Sequence, residues 1–376
     1  MYMSKLLSQG GFGCVYYPSI GCNGKSTQNK KLVTKLQRRN FNSDNEEEIG
    51  EILKKIPDYM SFFLPVTQVC DIDLRKMDKK LVAQCEVIGS SNEEYVLMSI
   101  PYVPNKPFFS ILSDTAGSTK KKVMLTLTDT FTYLVRAVKH LLSKQIVHFD
   151  LKGDNILYNI NTNDPQIIDF GISIPMANLN DKNMREYFYV YAPEYYVWPL
   201  EVHAINYILH NTKSDLTGSD VDSICTSYVT SNKALEVFSE SFRAQYGDAC
   251  KRQLSRYVGN DRDKSVYALM SSYKTWDNYA ISVIYLKVFE YLFPKGLHRN
   301  PMLIRFSQIL ILNINPDPEK RLDIDATTTQ FNDIFFLDGD PRDYENAVQQ
   351  MDYDPERTTK RINEDLFSLN KAIRRR

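Results

Sequence analysis

At 376 residues, with 43% hydrophobic and 24% charged side chains, the chain is long enough for two packed units or one large two-lobed domain and too apolar for wholesale disorder. Its 46 Lys and Arg are balanced by 46 Asp and Glu, so the net charge is zero and the broad positive field of a general nucleic-acid binder is excluded. No apolar run is long enough to span a bilayer and the N-terminus shows no leader pattern, which predicts neither secretion nor membrane insertion. Cys14, Cys22, Cys70, Cys85, Cys225 and Cys250 form no C-x-x-C pair. That scatter predicts neither a disulfide framework nor a zinc site, and it fits a reducing, cytoplasmic setting. The histidines form no H-x-x-x-H and read as structural or exposed.

In chain order, Gly10, Gly11 and Gly13 cluster between LLS and CVYY, predicting a hairpin over 5–17 with a glycine-rich turn, and LVTKL predicts a strand over 32–36. Ile49, Ile52, Leu53 and Ile56 recur at helical spacing over 44–56, with acids in the first turn, lysines in the last and Pro57 as a stop. Strands are predicted over 81–88 and 95–100, then a loop over 113–122. Leu127, Phe131, Leu134, Val138, Leu141 and Leu142 form the apolar face of a helix ending before IVHFD. Residues 279–293 are apolar almost all round and read as a buried central helix, whereas 203–275 are mixed and weakly periodic. Asp354 and Pro355 open a tail helix carrying Ile362, Leu366, Leu369 and Ile373, whose closing arginine run reads as a solvated, dipole-matching end.

Ser8, Gly10, Gly13 and Val15 fill the slots of G-x-G-x-x-G-x-V, with serine for the first glycine. Such glycines open a backbone to phosphate oxygens, but they serve any tight hairpin equally well. Lys35, inside an apolar strand, is likewise ambiguous alone, since such a lysine ordinarily snorkels outward. His148-Phe149-Asp150-Leu151-Lys152-Gly153-Asp154-Asn155 followed by Asp169-Phe170-Gly171, each set between apolar strands, changes that balance.

With these residues the sequence resembles the eukaryotic-type protein kinases, whose catalytic loop reads H-R-D-L-x-x-x-N and whose metal motif reads D-F-G. Ala192-Pro193-Glu194 resembles the A-P-E that closes the activation segment, Asp277 the aspartate opening the central helix, and Arg321 the late arginine. The resemblance covers roughly 4–335 and implies an α+β, bilobal protein-kinase-like fold, with a small β-rich N-lobe containing one helix and a larger, mainly helical C-lobe. The implied division is an N-lobe over 1–100, a C-lobe over 101–335 with a long insertion at 203–275, and a helical extension over 336–376.

The resemblance implies roles residue by residue. Gly10, Gly11, Gly13 and Val15 would cover the ATP phosphates, and Lys35 would hold the α- and β-phosphates, oriented by Glu48, with Glu46 and Glu47 as alternatives. Asn155 and Asp169 would bind Mg²⁺, Asp150 would accept the substrate hydroxyl's proton, and Lys152 would neutralise the γ-phosphate. Adenine would sit against Pro101, Tyr102 and Val103, after a gatekeeper at Ile100 or Met98. Glu194 would pair with Arg321, Asp277 would accept hydrogen bonds from the catalytic-loop backbone, and His148 and Phe170 would be structural.

The function so implied is an ATP- and Mg²⁺-dependent serine/threonine protein kinase, Lys152 being the serine/threonine pattern, with a pseudokinase scaffold as the alternative. Partners would be protein substrates, with 203–275 or the C-terminal helix as a surface for other proteins, and no nucleic acid. Residues 56–66 and 192–209 are similar to serine/threonine kinases of large nucleocytoplasmic DNA viruses, which would place the protein in host cytoplasm or virion. Departures from the pattern are Phe149 in place of arginine, Val190 in place of tyrosine and Tyr187 in place of threonine. Ser173 is the one aliphatic hydroxyl between Gly171 and Ala192, so the activation loop is expected to be held by its own packing and not by a phosphate.

Overall fold

Residues 32–38, LVTKLQR, carry apolar or β-branched side chains on both faces, and in the computed structural model they form the central strand of a five-stranded sheet. The structure describes all residues except 1–2, 12, 89–92, 113–118, 211–214, 297–299, 338, 353 and 374–376, and leaves out the side chains of 111 and 355. His298, the terminal arginine run and most of the 113–122 loop therefore lie outside the described residues. The strands β1 (Lys5–Gln9), β2 (Gly13–Tyr17), β3 (Leu32–Arg38), β4 (Gln68–Ile72) and β5 (Tyr95–Pro101) run antiparallel to their neighbours in the order β1-β2-β3-β5-β4.

The chain divides into two compact units, residues 1–106 with 155–175, and residues 107–154 with 176–376. No single cut near residue 100 describes this division. The return of 155–175 to the first unit follows from backbone pairing: Ile167 donates to the carbonyl of Phe62 at 2.8 Å, and Leu64 donates back to Ile167 at 3.0 Å.

In the first unit, α1 (Phe41–Leu53) begins three residues earlier than the periodicity predicts. Asn40 and Ser43 form a reciprocal capping box there, and Asp44 lies in the first turn, while the expected lysines fall at and beyond the C-cap. The 81–88 segment is not a strand: Asp78 caps a short helix, α2 (Lys79–Ala83). One turn brings Leu81 and Cys85 into a core with Cys14, Tyr16, Leu36 and Leu97. The cysteines also correct the sequence reading, because Cys14 is bonded to Cys85 and Cys22 to Cys70, leaving Cys225 and Cys250 as buried free thiols. The partners are 71 and 48 residues apart, so no local spacing announces them.

The second unit is built from α3 (Lys120–Ser143), α4 (Met184–Tyr187), α5 (Leu200–His210), α6 (Gly218–Ser231), α7 (Glu240–Leu254), α8 (Arg262–Met270), α9 (Trp276–Leu292), α10 (Pro301–Asn313), α11 (Ile324–Asn332), α12 (Pro341–Gln350) and α13 (Pro355–Ile373). α9 is buried on every side, with α3 and α10 packed on it. The weakly periodic 203–275 stretch is helical, holding most of α5 and all of α6, α7 and α8. No described helix is long and apolar enough to cross a membrane.

Candidate active site

β3 puts Lys35 on the sheet face it shares with Val15, its cross-strand partner. Its ammonium, buried at 7% exposure, lies 2.7 Å from Glu46 Oε2 and 3.0 Å from Asp169 Oδ1. Burial alone would lower the Lys35 pKa, but Asp169 and Glu46 outweigh it and hold the amine above the ordinary lysine value. Burial dominates at Glu46 and lifts its carboxyl above the usual range in spite of Lys35. α1 is hooked to the metal-motif segment by Asn45, whose amide donates to the carbonyls of Gly171 at 3.0 Å and Ser173 at 2.8 Å. Asp169 itself stands in the left-handed region at φ 63°, a conformation that non-glycine residues hold only where surrounding contacts enforce it.

The glycine turn closes with Gly10 N–H donating to the Gly13 carbonyl at 2.9 Å. Gly13 is fixed by packing, since a Cβ there would stand 2.5 Å from the Leu36 carbonyl oxygen. Asn155 is buried, and its carbonyl accepts the Ile168 N–H at 3.0 Å. Tyr102 and Val103 are half-buried; Tyr102 donates to the Lys31 carbonyl at 2.8 Å and lays its ring 4.2 Å from that of Tyr17. Phe170 is buried edge-on to Phe63.

In the second unit, Asp277 at the start of α9 accepts the N–H groups of His148 at 2.7 Å and Phe149 at 3.1 Å. Burial raises its carboxyl above the ordinary value despite those two donors. The bonds hold Phe149 at φ 67° and thereby aim the loop that follows. His148 Nδ1 accepts the Asp150 N–H at 3.2 Å. The Asp150 carboxylate takes Lys152 Nζ at 2.7 and 2.9 Å and the hydroxyl of Tyr195, with all three side chains buried. Burial, with Asp150 beside it, pushes the Tyr195 phenol far above its ordinary value, so it stays a proton-bearing donor. Phe149 stacks on Trp198 at 4.8 Å and meets Phe188 edge-on at 5.5 Å.

Set beside known proteins, residues 3–207 match the protein kinase domain family, which is more than half of the chain. The chain belongs to that family. Mouse mitogen-activated protein kinase kinase kinase 15 is 31% identical over 96 residues, covering 25% of this chain and 7% of that protein, so the match spans a small part of the relative's length. The kinase domain carries the α+β architecture that the family implies, a β-sheet N-terminal region followed by a mainly helical one.

Two expected pairings differ in the kinase. The carboxylate on Lys35 is Glu46 and not Glu48, which lies on the exposed side of α1. Arg321 is held by Glu201, Nη1 to Oε1 at 2.5 Å and Nη2 to Oε2 at 2.8 Å, and not by Glu194. The A-P-E triplet at 192–194 is thus an agreement of letters, and Val197-Trp198-Pro199-Leu200-Glu201 supplies the ion-paired glutamate. Sequence reasoning also missed Tyr195, whose only signal was its place in an aromatic run.

Proposed function

We propose that this chain is an active, ATP- and Mg²⁺-dependent serine/threonine protein kinase and not a scaffold that retains the fold. The observation that carries the reading is the buried Lys35 ammonium held by both Glu46 and Asp169. Burying a lysine with two carboxylates carries a desolvation cost, and this reading gives the buried charge a use. In this reading the lysine binds nucleotide phosphates, under a glycine turn whose backbone tolerates close approach. Tyr102 and Val103 would flank the base.

Among the described residues, no cluster of three or more His, Cys, Asp or Glu could hold a metal by itself. One carboxylate and one amide, Asp169 and Asn155, fit a Mg²⁺ that takes its remaining oxygens from nucleotide phosphates and water. The bound ion would supply charge neutralisation. Asp150 would orient the substrate hydroxyl and receive its proton, and Lys152 would stabilise charge on the transferring group. Phe149, packed on Phe188 and Trp198 where the H-R-D-L-x-x-x-N pattern reads arginine, supports an activation loop ordered by aromatic packing without a phosphate.

The test is incubation of purified protein with labelled ATP, Mg²⁺ and a degenerate peptide library. Label should appear on serine or threonine. Asp150→Asn and Asp169→Asn should each cut turnover by orders of magnitude, while only the latter removes metal-dependent nucleotide binding. Full activity in either variant removes the reading, and tyrosine-only product rejects the substrate class.

A further inference from the structure

The C-terminal helix α13 lies on the part of the second unit that carries Asp150. It packs on α9 and on the 3-10 turn Phe108–Leu112. Its Leu366 and Leu369 line a groove with Phe109, Gly153, Val197 and Ile284. Asp365, at the groove's charged end, receives Lys287 Nζ at 3.0 Å, Lys233 Nζ at 3.1 Å and the Tyr291 hydroxyl at 2.5 Å. One turn further on, Asn370 Nδ2 donates to Asp154 Oδ2 at 2.7 Å.

The groove wall is continuous with the chemistry. Gly153 and Asp154 follow Lys152, which grips Asp150, and Val197 stands two residues after Tyr195, which caps the same carboxylate. Lys152 itself lines the groove, so a chain seated there lies beside the group that grips Asp150, and α13 is the chain seated there. The groove also dictates what fits there. Lys287 is 3% exposed and shares its charge between Asp365 and Glu290, so a segment without the acid would leave it and Lys233 one carboxylate short, while Phe109, Val197 and Ile284 require apolar cover.

We propose that the groove under α13 is the protein-substrate docking groove. It selects a helical segment bearing a carboxylate followed by leucines one and four positions later, and α13, with Asp365, Leu366 and Leu369, is its resident occupant in competition with substrate. The inference rests on the protein kinase reading. Its specificity comes from an acid against two lysines and from two apolar anchors, the recognition pattern of an amphipathic helix in a groove.

The experiment uses the full-length chain with Leu369→Asp to release α13, and Asp365→Asn with Asn370→Ala as a milder release in case the first variant fails to fold. The probe is a labelled peptide of residues 355–373. Released variants should bind it about tenfold more tightly than the parent chain, and should raise kcat/KM by a similar factor for a serine peptide carrying the same acidic-leucine flank. KM for ATP should not move, the unlabelled peptide should compete with protein substrate and not with ATP, and adding Lys287→Ala should abolish its binding. Unchanged or lower kcat/KM in a released variant with a native melt overturns the proposal and makes α13 a strut, as does inhibition competitive with ATP alone. Peptide binding without phosphoryl transfer in any variant removes the kinase reading and leaves the groove. Transfer without peptide binding removes the groove alone.

Discussion

On α1, Glu46, Ile49, Gly50 and Leu53 share the buried side, while Glu48 is about 200° around the helix from Glu46 and faces out. Glu46→Gln should therefore lower kcat/KM by orders of magnitude, and Glu48→Gln should stay within about twofold, in a steady-state peptide assay. The glycine, Lys35, Asp150 and Asp169 positions were legible because those motifs depend on residue type and order. The choice among three adjacent glutamates was not, because it depends on helix phase, which the Asn40–Ser43 capping box sets. His203 carries a second residue-scale consequence. Burial among Trp198 and Tyr228 pushes its pKa down to about 3, so the imidazole is neutral in the folded chain. Below its ordinary value of 6.5 the unfolded chain binds a proton that the folded chain refuses, so this contribution to stability is complete above that pH and is lost as the pH falls towards about 3. Urea unfolding between pH 7 and 4 should show the loss, and His203→Phe should flatten the slope.

Between elements, the Arg321 guanidinium ties α5 to the turn before α11, bonding Glu201 with both terminal nitrogens and the Asn315 carbonyl with Nε at 2.7 Å. Both charged side chains are buried, so removing either strands the other. Arg321→Ala and Glu201→Ala should each cost about 3–5 kcal/mol in denaturant unfolding, and Glu194→Ala should cost less. If Glu194→Ala proves the costlier change, the assignment of Glu201 fails. Elements with a full apolar stripe, α3, α9 and α13, were legible from periodicity. α7 and α8 were not, because each buries only four residues, one of them polar (Gln253 in α7, Ser265 in α8), which leaves too short a stripe to stand out from the polar residues around it. The 81–88 segment misled for a related reason: its short helix starts at the Asp78 cap, three residues before the segment, and is held by packing with distant Cys14 and Tyr16, which no local pattern contains.

For the molecule as a whole, the two disulfides make the first unit's stability depend on redox conditions. Each closes a long loop, and by chain entropy each is worth about 4 kcal/mol, less when summed because the Cys22–Cys70 loop lies within the Cys14–Cys85 loop. Reductant should lower the first unit's melting temperature, and Cys14→Ser with Cys85→Ser should reproduce about half of that shift without reductant. An unchanged melt on full reduction would show that strand packing alone holds the sheet. The tertiary bridges were invisible in the sequence because pairing over such distances is a property of the fold.

The aromatic packing around Phe149 also determines how this protein interacts with light. The chain has 2 tryptophans, Trp198 and Trp276, both buried with ring centroids 4.8 and 6.0 Å from that of Phe149. All indole emission therefore originates beside the catalytic loop, and the first unit contributes none. Fluorescence during unfolding is a local reading of that loop, whereas circular dichroism averages over both units. A gap between the two transition curves separates their stabilities without any label.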